Sequence, residues 1–106
     1  MSNGLKELQQ EVREWTHSVG HGYFSELTNT AILAEEVGEV ARIMARRYGD
    51  QQEKDSDRKK DLGEELCDVL FVVLCLADQT GIDLDKAWAD RMKKKTERDR
   101  GRWDRP

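Results

Sequence analysis

An all-α fold is predicted, as a four-helix bundle-like protomer that oligomerises, and three observations lead to it. Apolar residues recur every three to four positions over four long segments, which is the period of an amphipathic helix. Charged residues make up 38% of the chain and the single proline is Pro106, a composition that suits helices better than a sandwich or barrel. A chain of 106 residues buries only about two-thirds of its unfolded surface, which favours association with further copies.

The first two helices are predicted at about residues 5–19 and 27–48. The first has one apolar stripe, and two glycines within residues 20–22 end it. The stripe consists of Leu5, Leu8, Val12, Trp15 and Val19. Ser25 is a candidate N-cap of the second helix, and the polar residues Thr28 and Asn29 are alternatives.

The third and fourth helices are predicted at about residues 57–79 and 84–100. A polar, solvated loop at 50–58 precedes the third helix. Its nine-residue apolar run, 69–77, fits a buried strand as well as a helix by periodicity alone. The helix is preferred because the run continues a charged helical segment without punctuation by glycine or proline. Asp83 is the candidate N-cap of the fourth helix.

The whole chain, 1–106, is predicted to be one domain with a basic C-terminal tail at about 93–106. From residue 86 onward there are nine Lys and Arg against four Asp and Glu, a net charge of +5. The preceding residues carry −9, which completes the total of −4. An acidic body argues against binding of a nucleic-acid polymer by the whole surface, and suits a metal site with phosphate-binding groups from the tail.

The cysteines and the apolar runs indicate a cytoplasmic protein. Cys67 and Cys75 have no CxxC pattern and no neighbouring histidine, and we expect buried, free thiols in a reducing compartment. The N-terminus lacks a signal-peptide pattern, and the longest apolar run has nine residues. A membrane-spanning helix needs about 20. No membrane association is therefore expected.

The second helix contains the first of two acidic blocks, residues 35–39. On a helical wheel Glu36 falls inside the apolar arc, Glu39 lies on its margin and Glu35 points further out. A lone buried carboxylate is costly, so Glu36 requires either a metal ion or an arginine from another helix. The second helix alone leaves both interpretations open.

The third helix contains the second block, residues 64–68. Glu65 and Asp68 share a stripe with apolar core residues, whereas Glu64 points elsewhere. Two i, i+3 pairs of carboxylates without His or Cys form a hard, all-oxygen ligand set, which favours Mg²⁺, with Mn²⁺ as a substitute, over zinc. Mg²⁺ typically acts on phosphates, and a neighbouring carboxylate can orient or deprotonate the attacking water.

The first helix and the loop after it carry two further candidate features. A di-iron site requires two Glu-x-x-His motifs, and the chain offers a single one, Glu14 to His17. Trp15, His17 and Tyr23 form a candidate nucleobase pocket, in which aromatic rings stack on the base and histidine contacts its edge. The alternative is a helix end that is merely rich in polar and aromatic groups.

The two acidic blocks, Glu36-x-x-Glu39 and Glu65-x-x-Asp68 with a spacer of 25 residues, resemble the signature of MazG-like nucleotide pyrophosphohydrolases, which belong to the all-α NTP pyrophosphatases. The resemblance to the small single-domain subgroup covers nearly the whole chain. It extends through residues 22–25, 47–49 and 68–71 and the Arg98-Asp99…Arg102-Trp103 end.

The resemblance implies hydrolysis of a (deoxy)nucleoside triphosphate between the α and β phosphates, as removal of non-standard or excess nucleotides. It implies Mg²⁺ binding by Glu36, Glu39, Glu65 and Asp68, with Glu35 and Glu36 as the catalytic carboxylates. Phosphate contacts are implied for Lys94 and Arg98, although Thr96 stands where close relatives have Asn. It also implies a dimer or tetramer in which the second and third helices share a bundle. The alternative function is a non-enzymatic helical module that binds a nucleotide or a partner.

Overall fold

The computed structural model describes residues 4–49 and 60–103, and four helices follow one another there. They are α1, Leu5–Ser18; α2, Glu26–Tyr48; α3, Leu62–Gln79; and α4, Leu84–Asp99. The described residues contain no strand, so the apolar run 69–77 is helical. The predicted all-α class is confirmed.

Side-chain caps set the starts of α2 and α4. The Ser25 hydroxyl accepts a hydrogen bond from the backbone N–H of Thr28 at 3.1 Å, so Ser25 is the N-cap and the alternatives at 28 and 29 lie inside the helix. Asp83 caps α4 by accepting from the N–H groups of Asp85 and Lys86, at 3.0 and 3.4 Å. Both caps satisfy backbone donors that the first helical turn leaves unpaired.

The start of α3 differs from the prediction. Asp61 is its N-cap, with Oδ1 2.7 Å from the N–H of Gly63, so the helix begins at Leu62. The predicted start at residue 57 is too early, because Lys60 and Asp61 are not helical. Periodicity alone did not reveal that the Asp61 cap begins the helix at Leu62. Residues 50–59, which include the whole predicted loop at 50–58, lie outside the described ranges.

α3 is the central helix, since it packs against both α2 and α1. Val12 from α1 and Leu74 and Cys75 from α3 form the buried cluster, with Tyr23 and Phe71 packed against it. On α2, Ile43 is the most deeply buried large side chain in the described ranges. α2 packs along α3 as well, and the candidate functional site lies between these two helices.

α4 contacts α1 and contributes no buried residue. Its first turn is attached by the buried Gln9, whose amide donates to the carbonyl of Ile82 at 2.6 Å and accepts from the N–H of Leu84 at 2.9 Å. Trp88 and Met92 remain 61% and 42% exposed. Within the described ranges, α4 therefore contacts the other helices mainly through α1 and leaves much of its apolar surface exposed.

The two cysteines differ in exposure. Both are free; Cys75 is buried and Cys67 is exposed, so the expectation of two buried thiols is wrong for Cys67. Cys67 precedes Val72, the first buried residue of α3. In the described ranges, no helix combines the length and the apolar character that a membrane crossing requires.

Candidate metal and nucleotide site

Three carboxylates converge where α2 faces α3. Glu36 comes from α2, and Glu65 and Asp68 come from α3. One ligand oxygen of each lies within 4.8 Å of the others. The i, i+3 spacing places Glu65 and Asp68 on one face of α3, and helix packing brings Glu36 opposite them. Carboxylate oxygens at this spacing fit a hard divalent cation, which keeps further positions for water and phosphate.

The negative charges in this acid cluster (Glu36, Glu65 and Asp68) oppose one another. Burial raises the pKa of Glu36 above its usual value, and the charges of Asp68 and Glu65 raise it further, with smaller contributions from Glu39 and Glu35. In the described parts of the chain, none of the three clustered carboxylates has an ion pair. A bound divalent cation would remove this repulsion, so the donor set fits Mg²⁺.

Glu39, the fourth predicted ligand, lies outside the group. Its Oε2 is 2.8 Å from Nζ of Lys60, in the non-helical segment before α3. Helical periodicity could not reveal this pair, because it describes one helix at a time and Lys60 lies 21 positions further along the chain. The other predicted catalytic carboxylate, Glu35, is exposed and also outside the group. The roles of Glu39 as ligand and Glu35 as catalytic group stay predictions.

A cavity of about 430 Å³ adjoins the acid cluster. Its lining includes Glu36 and Asp68 as well as Trp15 and Phe71, whose rings meet edge to face with centroids 5.7 Å apart. The lining is mostly apolar. A ligand with a flat apolar part and a negatively charged, metal-binding part fits this combination.

Residues 20–24, here called the cavity loop, also line the cavity. The Tyr23 hydroxyl tethers the loop to the end of α3 by donating to Oδ2 of Asp78 at 2.6 Å. Arg13 holds the same carboxylate from α1, through Nε at 3.0 and 3.1 Å and Nη2 at 2.7 Å. The Arg13 hydrogen bonds hold the pKa of Asp78 below its usual value, whereas burial and the bond to Asp78 raise the pKa of Tyr23.

A second tether lies one residue further along α3. The Gln79 amide donates to the carbonyl of Phe24 at 2.9 Å. The buried Asn29 donates through Nδ2 to Oε1 of Gln79 at 2.7 Å, and to the same Phe24 carbonyl at 3.4 Å. Directly before the tethered residues, Gly22 has a φ of +89°, which a larger residue rarely adopts. Together these contacts shape one wall of the cavity.

The sequence-based search missed Asp78, Gln79, Arg13 and Asn29. The available signal was weak: two polar residues directly follow the nine-residue apolar run, and Asn29 was considered as a cap. Pairs such as Arg13 with Asp78, 65 positions apart, become visible when α1 and α3 are packed together.

The predicted nucleobase residues are divided by the structure. Trp15 and Tyr23 line the cavity, and His21 lies there as well. His17 is not among the lining residues: its ring packs edge to face on Tyr23 at 5.1 Å, and its Nδ1 donates to the carbonyl of Arg13 at 2.7 Å. Its contact with a base stays a prediction.

The predicted phosphate-binding residues Lys94 and Arg98 lie on α4 and are exposed. No residue of α4 lines the cavity, and Arg98 forms hydrogen bonds to the neighbouring Asp99 at 3.0 and 3.2 Å. Residues 93–99 of the predicted tail form the last turns of α4. Within the protomer, the structure does not bring these basic residues to the acid cluster.

The fold and the site define a class: an all-helical protein with a cluster of three carboxylates, a candidate metal site, beside a mostly apolar cavity. The family model for the MazG nucleotide pyrophosphohydrolase domain matches residues 24–103. The chain therefore belongs to the MazG nucleotide pyrophosphohydrolase family. This membership supports hydrolysis of a nucleotide pyrophosphate bond, and it makes the protein a hydrolase of this class.

Two proteins of Bacillus subtilis are similar to this chain over most of its length. The uncharacterized protein YpjD of Bacillus subtilis (strain 168) is 42% identical over 101 residues, covering 95% of this chain and 91% of YpjD. The uncharacterized protein YvdC of the same organism is 30% identical over 100 residues, covering 89% and 94% of the two chains.

Two crystal structures share the fold. YpjD from Bacillus subtilis, described as a candidate pyrophosphatase, superimposes with a TM-score of 0.77 at 40% identity, over 88% of this chain and 93% of that one. The Bacillus-conserved MazG protein, described as a nucleotide pyrophosphohydrolase, gives a TM-score of 0.72 at 38% identity, over 88% and 89%.

Proposed function

We propose that the protein is a Mg²⁺-dependent pyrophosphohydrolase that converts (deoxy)nucleoside triphosphates to the monophosphate and pyrophosphate. The observation that supports this most directly is the position of the acid cluster against the mostly apolar cavity. One site can thereby hold the metal-bound phosphates and the base of the same nucleotide. Removal of non-standard or excess (d)NTPs in the cytoplasm is the role we propose for it.

The chain's own residues divide the work. Glu36, Glu65 and Asp68 hold Mg²⁺, with Glu39 proposed as a further ligand and Mn²⁺ as a substitute. When bound, the cation neutralises charge on the phosphate oxygens. Glu35 or Glu36 orients the attacking water and takes up its proton while the Pα–O–Pβ bridge breaks and pyrophosphate leaves. The base lies in the cavity beside Trp15 and Tyr23.

We propose in addition that the protein works as a homo-oligomer, a dimer or tetramer. Large apolar side chains on α2 and α4 are exposed, such as Leu27 at 80%, Tyr48 at 70% and Trp88 at 61%. A second copy would cover these apolar side chains, and it would allow Lys94 and Arg98 to contact phosphates at a neighbouring site. Light scattering after size-exclusion chromatography measures the mass of the assembly. A mass equal to that of the monomer at micromolar concentration would contradict the proposed oligomer.

The activity is tested with a panel of (d)NTPs in Mg²⁺, in Mn²⁺ and in a chelator, with products separated by ion-exchange chromatography. We expect monophosphate and pyrophosphate in equal amounts, and no turnover in the chelator. Diphosphate and orthophosphate as products would contradict the proposed site of cleavage. If no nucleotide is hydrolysed, the alternative of a non-enzymatic binding module holds.

A further inference from the structure

Asn29 is a buried polar residue in the cavity lining with hydrogen-bonding capacity to spare. It is 5% exposed. Within the described ranges, both hydrogen bonds of its amide use the nitrogen, which donates to Oε1 of Gln79 and to the Phe24 carbonyl. Among the described residues, nothing donates to its amide oxygen Oδ1. Buried side-chain acceptors in folded proteins nearly always have a partner, so this oxygen calls for a donor from a ligand or from water.

The other polar side chains deep in the cavity have already used their donors. The Thr16 hydroxyl, on a residue 6% exposed, donates to the carbonyl of Arg13 at 3.0 Å. The Tyr23 hydroxyl donates to Asp78. Each of these oxygens keeps lone pairs, so what Thr16, Tyr23 and Asn29 still offer is hydrogen-bond acceptance. The donors of Trp15 and His21 also line the cavity, but both side chains are exposed, where water competes for them.

We infer that Asn29 is a specificity-determining residue, whose amide oxygen accepts a hydrogen bond from the exocyclic amino group of the substrate base. The inference rests on the proposed function and adds a substrate class to it. Cytosine and adenine present an amino group where uracil, thymine and hypoxanthine present a keto oxygen. A keto oxygen facing a set of acceptors gains no hydrogen bond and is repelled. The cavity therefore favours amino-bearing bases.

Matched nucleotide pairs measure this preference directly. We expect kcat/KM to be about 10- to 100-fold higher for dCTP than for dUTP, and for dATP than for dITP. This is the size of effect expected when a buried acceptor loses its hydrogen-bond donor. The triphosphate of 2-pyrimidinone deoxyriboside, which lacks the 4-amino group, should be as poor a substrate as dUTP. Equal values within each pair, or a preference for the keto base, would overturn the inference.

Two substitutions separate the acceptor from the tether. Asn29→Leu removes Oδ1 at similar volume and should reduce the dCTP to dUTP ratio to near unity. Gln79→Met removes the Gln79 bond to the Phe24 carbonyl and the acceptor of the Asn29 amide, but it leaves Oδ1 in place, so KM should rise for both nucleotides with the ratio kept. If the Gln79 variant loses the ratio as completely as the Asn29 variant, Asn29 acts through the loop and the inference is wrong.

Asn29→Asp provides a second variant that retains acceptor oxygens, and it should keep the preference for dCTP. It also serves if the leucine variant does not fold. Loss of the preference in a folded Asn29→Asp variant would count against the acceptor role.

A binding measurement distinguishes failure of this inference from failure of the proposed activity. The α,β-imido analogues of dCTP and dUTP are titrated into the wild-type protein by calorimetry. A preference for the dCTP analogue without any turnover of dCTP would support the subsite while contradicting the hydrolase. Turnover of both nucleotides with equal affinity for both analogues would support the hydrolase and contradict the subsite. Water would then be the hydrogen-bond partner of Oδ1.

Discussion

The two ends of α3 present carboxylates in opposite environments. Near its start, Glu65 and Asp68 join Glu36 in a cluster whose members have no ion pair within the described ranges, and the pKa of Glu36 is raised. Near its end, Asp78 accepts from Arg13 and Tyr23, and its pKa is lowered. The first group has negative charge to offer to a ligand. The second has its charge satisfied by the protein, so it holds structure in place.

The largest expected effect is loss of activity when the acid cluster is changed. Glu36→Gln and Asp68→Asn each remove a ligand oxygen's charge, and we expect kcat/KM to fall by about 100-fold or more. Glu64→Gln is the matched control, since Glu64 is exposed on the same helix and lies outside the cluster. Wild-type rates of pyrophosphate release from the Glu36 variant would show that the cluster is not the metal site.

The next effect is loss of stability at the other end of α3. Asp78→Asn removes the charge that Arg13 and Tyr23 contact. We expect the free energy of unfolding to fall by about 1–2 kcal/mol. The value is moderate because the Arg13 side chain is half exposed. The melting temperature should fall by about 5–15 °C. KM should increase more than kcat decreases, because the cavity loop loses a tether.

Asp90→Asn on the exposed surface of α4 is the control for Asp78, and it should leave both stability and KM unchanged. An Asp78 variant with a wild-type melting temperature would contradict the structural role assigned to that carboxylate. A double-mutant cycle with Arg13→Gln would then show whether the pair interacts in solution.

The stabilisation of the protein by Mg²⁺ should depend on the acid cluster near the start of α3 and not on Asp78 near its end. At a Mg²⁺ concentration tenfold above the dissociation constant, stabilisation is about 1.4 kcal/mol, which raises the melting temperature by several degrees. Glu36→Gln should lose most of this increase, and Asp78→Asn should retain it. Differential scanning fluorimetry with and without Mg²⁺ makes the comparison, and an equal shift in all three proteins would point to binding elsewhere.

The smallest effect is the pH dependence of stability in a chelator. Since the pKa of Glu36 lies above its usual 4.5, the ionised group opposes folding at neutral pH, and this penalty fades as the pH falls through the raised pKa. The pKa of Asp78 lies below its usual 3.8, so its contribution is complete above that value and is lost as the pH falls through the lowered pKa.

Denaturant unfolding between pH about 7 and about 4.5 should therefore show a small gain in stability on acidification that is absent in Glu36→Gln. Mg²⁺ should reverse the gain, because the cation binds the ionised carboxylates. A wild-type protein and a Glu36 variant with identical profiles would mean that Glu36 carries no unfavourable charge.

Much of the fold and part of the site follow from the sequence alone. Apolar periodicity located four helices, because burial of one face repeats with the helical turn. The same periodicity placed Glu36, Glu65 and Asp68 on buried faces, and the structure brings these three together. It failed where a local cap or a distant partner decides the outcome, as at Asp61 and at Glu39 with Lys60.

By itself, then, the sequence determined the four helical segments of the described ranges and the helix faces on which Glu36, Glu65 and Asp68 lie, since both depend on neighbours within a turn or two of the chain. Tertiary structure alone decided that Asp78 is held by Arg13 and Tyr23, that His17 lies behind Tyr23, and that Asn29 enters the cavity with a spare acceptor. The reason is physical: these contacts join residues on different helices, and their distances are set by how α1, α2 and α3 pack.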